Sequence, residues 1–92
     1  MIITIQFRGP IAGHIVGGKL KMNVQEGLTL TNLLNLVMQQ EPYVRALWKS
    51  PTEIDRNSLI LCNDVDIGIV GGLDAVVKDG DTVTILPLVH GG

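Results

Sequence analysis

The residues whose types suggest chemistry stand at the C-terminus, where His90 is followed by Gly91 and Gly92. At an average glycine usage of about 7%, two final glycines arise by chance in roughly 0.5% of chains. The glycine-rich composition here, 11 of 92 residues, raises that figure somewhat. A frayed terminus without a role is the plain alternative. The chemical reading is a slim arm with a reactive tip. Glycine has no Cβ, so it enters tunnels too narrow for other residues, and its carboxylate is open to a nucleophile. Fully extended, the five residues after Pro87 reach roughly 17 Å, enough to thread a buried site on another protein. A carboxylate is a poor electrophile and needs a leaving group. Nothing in the sequence supplies one, so an activating partner is expected.

Other candidate groups carry less. Gly13-His14-Ile15-Val16-Gly17-Gly18-Lys19 fits the phosphate-loop spacing G-x-x-x-x-G-K. Leu20 stands where a magnesium-binding Ser or Thr belongs, and the segment joins two strands and does not open a helix. A flexible hairpin tip accounts for it better. The single cysteine, Cys62, lies at a strand end with no inferable partner and reads as structural. It excludes an intramolecular disulfide. With His14 and His90 far apart, no metal-ligand spacing exists. Asp64, Asp66, Asp79 and Asp81 have the look of turn residues more than of cation ligands.

The elements that must position the tail follow from periodicity. Ile3, Ile5 and Phe7 alternate with polar neighbours, as do Leu20, Met22 and Val24, giving two strands joined by a wide, glycine-rich loop. Leu30, Leu33, Leu34, Val37 and Met38 make one helical stripe, with Thr29 as N-cap and an end at or before Glu41, ahead of Pro42. Leu36 lies off the stripe and widens the buried face. Residues 43–57 show no clean period and read as a loop with a helical turn around Val44–Trp48. Ser58–Cys62 is a third strand, closed by Asn63-Asp64. Val65–Ile67 is a short edge strand, and Thr82–Leu88 is the last one, weakened at Pro87. Val83 and Ile85 face one way. Leu86 and Leu88 face the other, away from the helix. With Thr84 and Ile60 they are expected to form an apolar partner surface beside the tail; scattered surface leucines are the plain alternative.

This order predicts an α+β domain of the β-grasp type. Its mixed sheet of four or five strands is covered by one main helix, with the first and last strands side by side and parallel. Residues 1–87 form the domain and 88–92 a flexible tail. Apolar residues make up 46% and charged residues 17%, which argues against disorder. Aromatics are only 3%, so the core is aliphatic. A net charge of -2 without a Lys/Arg cluster argues against direct nucleic-acid binding. No apolar stretch approaches the ~20 residues of a membrane span. With one cysteine and no basic leader, a cytoplasmic monomer is expected.

Asn63-Asp64-Val65-Asp66, Gly71, Asp74, Asp79-Gly80-Asp81 and His90-Gly91-Gly92 resemble the ubiquitin-related modifier family without a gap. Departures are Ile67 for a usual Trp, Ala75 for Tyr and Val89 for Leu. The resemblance implies a carrier acted on by others, not an enzyme. A ubiquitin-activating-type enzyme, using ATP, would adenylate Gly92, and a persulfide donor would displace AMP to leave a thiocarboxylate. The carrier itself holds no cofactor. The sulfur would pass to the wobble uridine of tRNA through a thiolation enzyme, or the activated end would form an isopeptide bond with a target lysine. Gly91 and Gly92 would be the reactive end, and His90, Val89, Leu88 and Leu86 would dock the partner. The acidic turn, Pro87 and the Gly-Gly end also resemble the molybdopterin synthase small subunit. That protein is the main alternative, ahead of a thiamin-pathway sulfur carrier. A plain interaction module with an inert end is the alternative of a different class.

Overall fold

The computed structural model describes residues 1–88. Five strands, β1 (Ile2–Phe7), β2 (Lys19–Asn23), β3 (Ser58–Cys62), β4 (Val65–Asp66) and β5 (Thr82–Pro87), form one mixed sheet in the order β2-β1-β5-β3-β4. β1 and β5 run parallel side by side, Phe7 opposite Ile85, and every other pairing is antiparallel. The expected β-grasp architecture is therefore present. On one face the alternation buries Ile3, Ile5, Phe7, Met22, Ile60, Val83 and Ile85. Helix α1 (Leu30–Gln40) supplies the opposing stripe of Leu30, Leu33, Leu34, Val37 and Met38, all buried, with Leu36 half-buried beside them. The Thr29 hydroxyl accepts the Asn32 N–H at 3.2 Å, satisfying one of the donors a helix start leaves open. Glu41, extended ahead of Pro42, ends the helix.

Two segments differ from expectation. The helical turn expected around Val44–Trp48 is present as α2 (Pro42–Leu47), but most of the remaining expected loop is a further helix, α3 (Pro51–Asn57), and each helix opens with proline at its first position. The Ser50 hydroxyl caps α3 by accepting the Glu53 N–H at 3.1 Å. Arg45 donates to the carbonyls of Met38 and Gln39 at 3.1 and 3.2 Å, so a cation closes the C-terminal end of α1. Val44, Trp48 and Ile54 are buried and seal one end of the core. α1 remains the main helix over the sheet; α2 packs against α1, and α3 against α1 and β3. The glycine-rich loop is likewise ordered, as two 3₁₀ turns, Pro10–His14 and Val16–Gly18. Ile11 and Ile15 turn inward to the core, and His14 stacks on Tyr43 with ring centroids 4.2 Å apart. Buried isoleucines and a stacked ring hold this segment, where glycine content alone suggested a floppy tip. It leads into β2 and not into a helix, so the phosphate-loop spacing has no matching structure.

Asn63 and Asp64, with φ of 51° and 67°, join β3 to β4 as a two-residue hairpin in which both central residues take positive φ. β4 is shorter than expected, since Ile67 turns into a 3₁₀ segment and buries its side chain. No helix among the described residues is long and apolar enough to cross a membrane.

Candidate functional site

The site is built where β5 ends. In a strand, successive side chains point to opposite faces. With Val83 and Ile85 inward, Thr84 and Leu86 belong to the outer face, the one without helices. Leu86 is half-buried there opposite Leu59, and Leu61 lies opposite Thr84. Leu59, Leu61 and Leu86 therefore form a half-buried aliphatic row. The expected extension through Ile60 is wrong. Ile60 pairs with Ile85 on the inner face and is buried, because the register of β3 turns its odd-numbered residues outward. Thr84 lies on the outer face as expected, but it is 2% exposed between Gln6 and Leu61 and offers little surface. Periodicity within β5 revealed Leu86. Leu59 and Leu61 needed the β3–β5 register, which the sequence does not carry.

Across the sheet, Lys19 and Lys21 stand opposite Gln6 and Thr4, so the outer face is apolar near β3–β5 and cationic at β2. Gly9, at φ 81°, follows β1 beside this row. A Cβ there would lie 3.5 Å from Leu86 Cδ1, and the left-handed backbone disfavours any side chain. The strand ends at Pro87, opposite Ser58. Leu88 is half exposed and donates its N–H to the Asn57 carbonyl at 2.9 Å, which fixes the point from which the chain continues. Val89, His90, Gly91 and Gly92, four of the six expected site residues, lie outside the described residues. Leu86 and Leu88 lie within them and come together at the end of β5.

The remaining candidates have structural tasks. Asp66 accepts the Gly68 N–H at 2.9 Å and Asp79 the Ile2 N–H at 2.7 Å. Asp81 accepts from Lys78 N and Asn63 Nδ2, each at 2.8 Å. Asp66 and Asp81 thus serve their turns as expected, while Asp79 ties its turn to the start of β1. The Cys62 thiol lies 3.7 Å from Asp81 Oδ2. Burial first, then the Asp81 charge and hydrogen bond, push its pKa above the ordinary 9.0. Raising the pKa removes thiolate, the opposite of what a nucleophile needs, so Cys62 is structural.

The family model described as Urm1 (ubiquitin related modifier) matches residues 3–92, nearly the whole chain and its last residue included. The chain belongs to the ubiquitin-related modifier family. Among curated proteins it is 28% identical over 95 residues to the ubiquitin-related modifier 1 homolog of Caenorhabditis elegans, covering 98% of this chain and 95% of that one. Among solved structures it is similar to Urm1 from Trypanosoma brucei, with TM-score 0.69 and 26% identity over 99% of this chain and 95% of that one. It is also similar to a chain of the Amycolatopsis orientalis BexX/CysO complex, with TM-score 0.69 and 32% identity over 98% and 99%. Ubiquitin-related modifiers and their relatives are small ubiquitin-like sulfur carriers, not catalysts.

Proposed function

We propose that this chain is an acyl carrier whose Gly92 carboxylate is adenylated by a ubiquitin-activating-type enzyme and converted to a thiocarboxylate. The carboxylate oxygen attacks the α-phosphorus of ATP and expels pyrophosphate. The terminal sulfur of a persulfide then attacks the acyl carbon and expels AMP. A thiol reduces the resulting acyl disulfide, leaving the carbon–sulfur bond on the carrier. ATP binds the activating enzyme and not this chain. The sulfur goes on to tRNA through a separate thiolation enzyme, and the activated end also serves lysine conjugation.

The single observation that carries this reading is the family match, which runs through Gly92. The outer face supports it. The aliphatic row of Leu59, Leu61 and Leu86 lies beside the exit strand, so an enzyme seated on that row has the chain's last residues within reach. From the Leu88 anchor, four extended residues span roughly 14 Å. Docking on the body and threading of the tail are then one binding event. A similar chain is part of the Amycolatopsis orientalis BexX/CysO complex, and here the proposed partner is the adenylating enzyme. His90 and Val89 line the entry to its channel, while Gly91 and Gly92 pass the narrow part.

The test is reconstitution. The full chain is incubated with the adenylating enzyme of its own organism, ATP and a persulfide donor. Carrier-dependent exchange of pyrophosphate into ATP is expected, followed by sulfur at the C-terminus. No exchange with the intact chain overturns the reading. Exchange followed by sulfur delivery only within a fixed complex with one catalytic subunit assigns the chain to molybdopterin synthesis instead.

A further inference from the structure

One long edge of the sheet is open. In the order β2-β1-β5-β3-β4 the outer strands are β4, of two residues, and β2, of five. The Val24 N–H donates to the Met1 carbonyl at 2.8 Å, and the Met1 ammonium donates to the Val24 carbonyl at 2.7 Å. Pairs that exchange both bonds recur at every second residue of an antiparallel ladder. Met22 opposite Ile3 and Leu20 opposite Ile5 are therefore the next such pairs. Lys21 and Asn23 turn their N–H and C=O groups the other way, to the open edge, where they have no backbone partner among the described residues. The protein group that completes such a row is the backbone of another extended chain.

Beside this edge, toward α1, lies a hollow of about 600 Å³. Val24, Leu28 and Leu36 line it with apolar side chains, the first two buried and the third half-buried. Asn32, Asn35, Leu36 and Gln39 stand at i, i+3, i+4 and i+7 on one face of α1, so the hollow follows the helix for about 10 Å. No charged side chain among the described residues lines it. Its amides both donate and accept, which suits a bound backbone.

The edge itself carries one sign of charge. Lys19 and Lys21 are the charged residues of β2, both exposed, and both lie on the outer face about 7 Å apart. Across the sheet their neighbours are Gln6 and Thr4, then Thr84 and Thr82, none of them acidic. The nearest acid in sequence, Glu26, borders a different hollow, with Met1 and Lys78.

We propose that the β2 edge and its hollow dock an extended segment of a partner protein in which acidic and apolar residues alternate. The segment pairs antiparallel with Lys19–Asn23 and adds a sixth strand to the sheet. Residues directly opposite Lys19 and Lys21 share the outer face with them, so the acidic side chains belong there. The residues between point to the helix side, where one apolar side chain enters the hollow against Val24, Leu28 and Leu36. The same lysines disfavour a basic strand, which makes the edge selective. They also disfavour a second copy of this chain, because two β2 strands paired about their middle residue set Lys21 against Lys21. β2 lies two strands from β5, about 10 Å away, so docking here is independent of the activation chemistry.

The test is a titration of the ¹⁵N-labelled full chain with four blocked nine-residue peptides, followed by amide chemical shifts and hydrogen exchange. The first alternates valine with aspartate. The second has lysine for aspartate, and the third has serine for valine. The fourth is the first with its aspartates N-methylated, which removes the donors that would meet Lys21. The first is expected to shift the amides of Lys19–Asn23 and of α1 from Asn32 to Gln39, and to leave those of Leu59, Leu61 and Leu86 unmoved. At a peptide concentration of ten times Kd, exchange of the Lys21 and Asn23 amides should slow about tenfold. The other three peptides should each bind about tenfold more weakly or worse. Lys19→Glu/Lys21→Glu changes only exposed side chains, so it should keep the native spectrum and prefer the lysine peptide to the aspartate one. No shift at the edge, shifts centred on Leu59, Leu61 and Leu86, or undiminished binding of any of the other three peptides overturns the proposal. An unchanged preference in the charge-reversed variant overturns it too. So do edge shifts that grow with protein concentration alone, because the occupant is then a second copy of this chain.

Discussion

Leu86→Asp separates docking from folding at the proposed activation surface. Leu86 is half-buried in the free protein, opposite Leu59 on the outer face. Full burial of a leucine side chain is worth about 1.5–3 kcal/mol, so closing the exposed half against a partner contributes about 1 kcal/mol. A carboxylate at the same place is desolvated without a partner and costs about 1–3 kcal/mol more. Together these raise the KM for the carrier about 30- to 700-fold. The kcat should change little, because the reacting Gly92 lies beyond Leu88 and is untouched. In the isolated protein the variant loses part of one cross-strand contact, about 1 kcal/mol, and melts about 4–8 °C lower. It therefore remains folded at 25 °C, and a melting curve verifies this before kinetics are read. The assay is ATP–pyrophosphate exchange by the adenylating enzyme at varied carrier concentration. Leu59→Asp should behave alike, because Leu59 shares the row. An unchanged KM in both folded variants refutes the surface, whatever Gly92 does.

Three further outcomes follow from the geometry, each readable by melting or thiol labelling. Asp64 holds φ at 67°, so Asp64→Gly should raise stability by about 0.5–1 kcal/mol, and a lower melting temperature contradicts the turn assignment. The Ser58 hydroxyl is buried with no hydrogen-bond partner among the described residues, so Ser58→Ala should be neutral or stabilising by about 1 kcal/mol; clear destabilisation means the hydroxyl is satisfied. Burial and Asp81 raise the Cys62 pKa, so alkylation of Cys62 at neutral pH should be slower than that of a free thiol and should accelerate only above pH 9. The linkage has the matching sign. The neutral thiol's contribution is fully present below the ordinary value of 9.0 and is lost as pH rises through the higher folded value, so the wild type loses stability in that window relative to Cys62→Ser.

The parts of the fold legible in the sequence are those with enough residues to show a period. β1 and α1 each carry three or more buried positions at regular spacing, β5 carries two, Val83 and Ile85, and Thr29 and Pro42 bracket α1 with standard helix-end chemistry. α2 and α3 are two turns at most, too short for a stripe; α2 buries only Val44, and α3 only Pro51 and Ile54. Their signals were local. Ser50-Pro51 with Glu53 two residues on is a capped helix start, and Pro42 both ends one helix and opens the next. The loop at 9–18 misleads because glycine suggests freedom, while Ile11, Ile15 and the His14–Tyr43 stack impose order through contacts far apart in sequence. The same holds for the site. Leu86 can be read from its own strand, but Leu59 joins it only through the register between β3 and β5.

The central claim is that Gly92 delivers an activated acyl group to chemistry performed by other proteins. The most direct measurement is the mass of the C-terminal peptide of this protein isolated from its own cells. The account predicts a fraction in which one carboxylate oxygen is replaced by sulfur. A peptide carrying only an ordinary carboxylate, with no lysine anywhere bearing its Gly-Gly remnant, contradicts it.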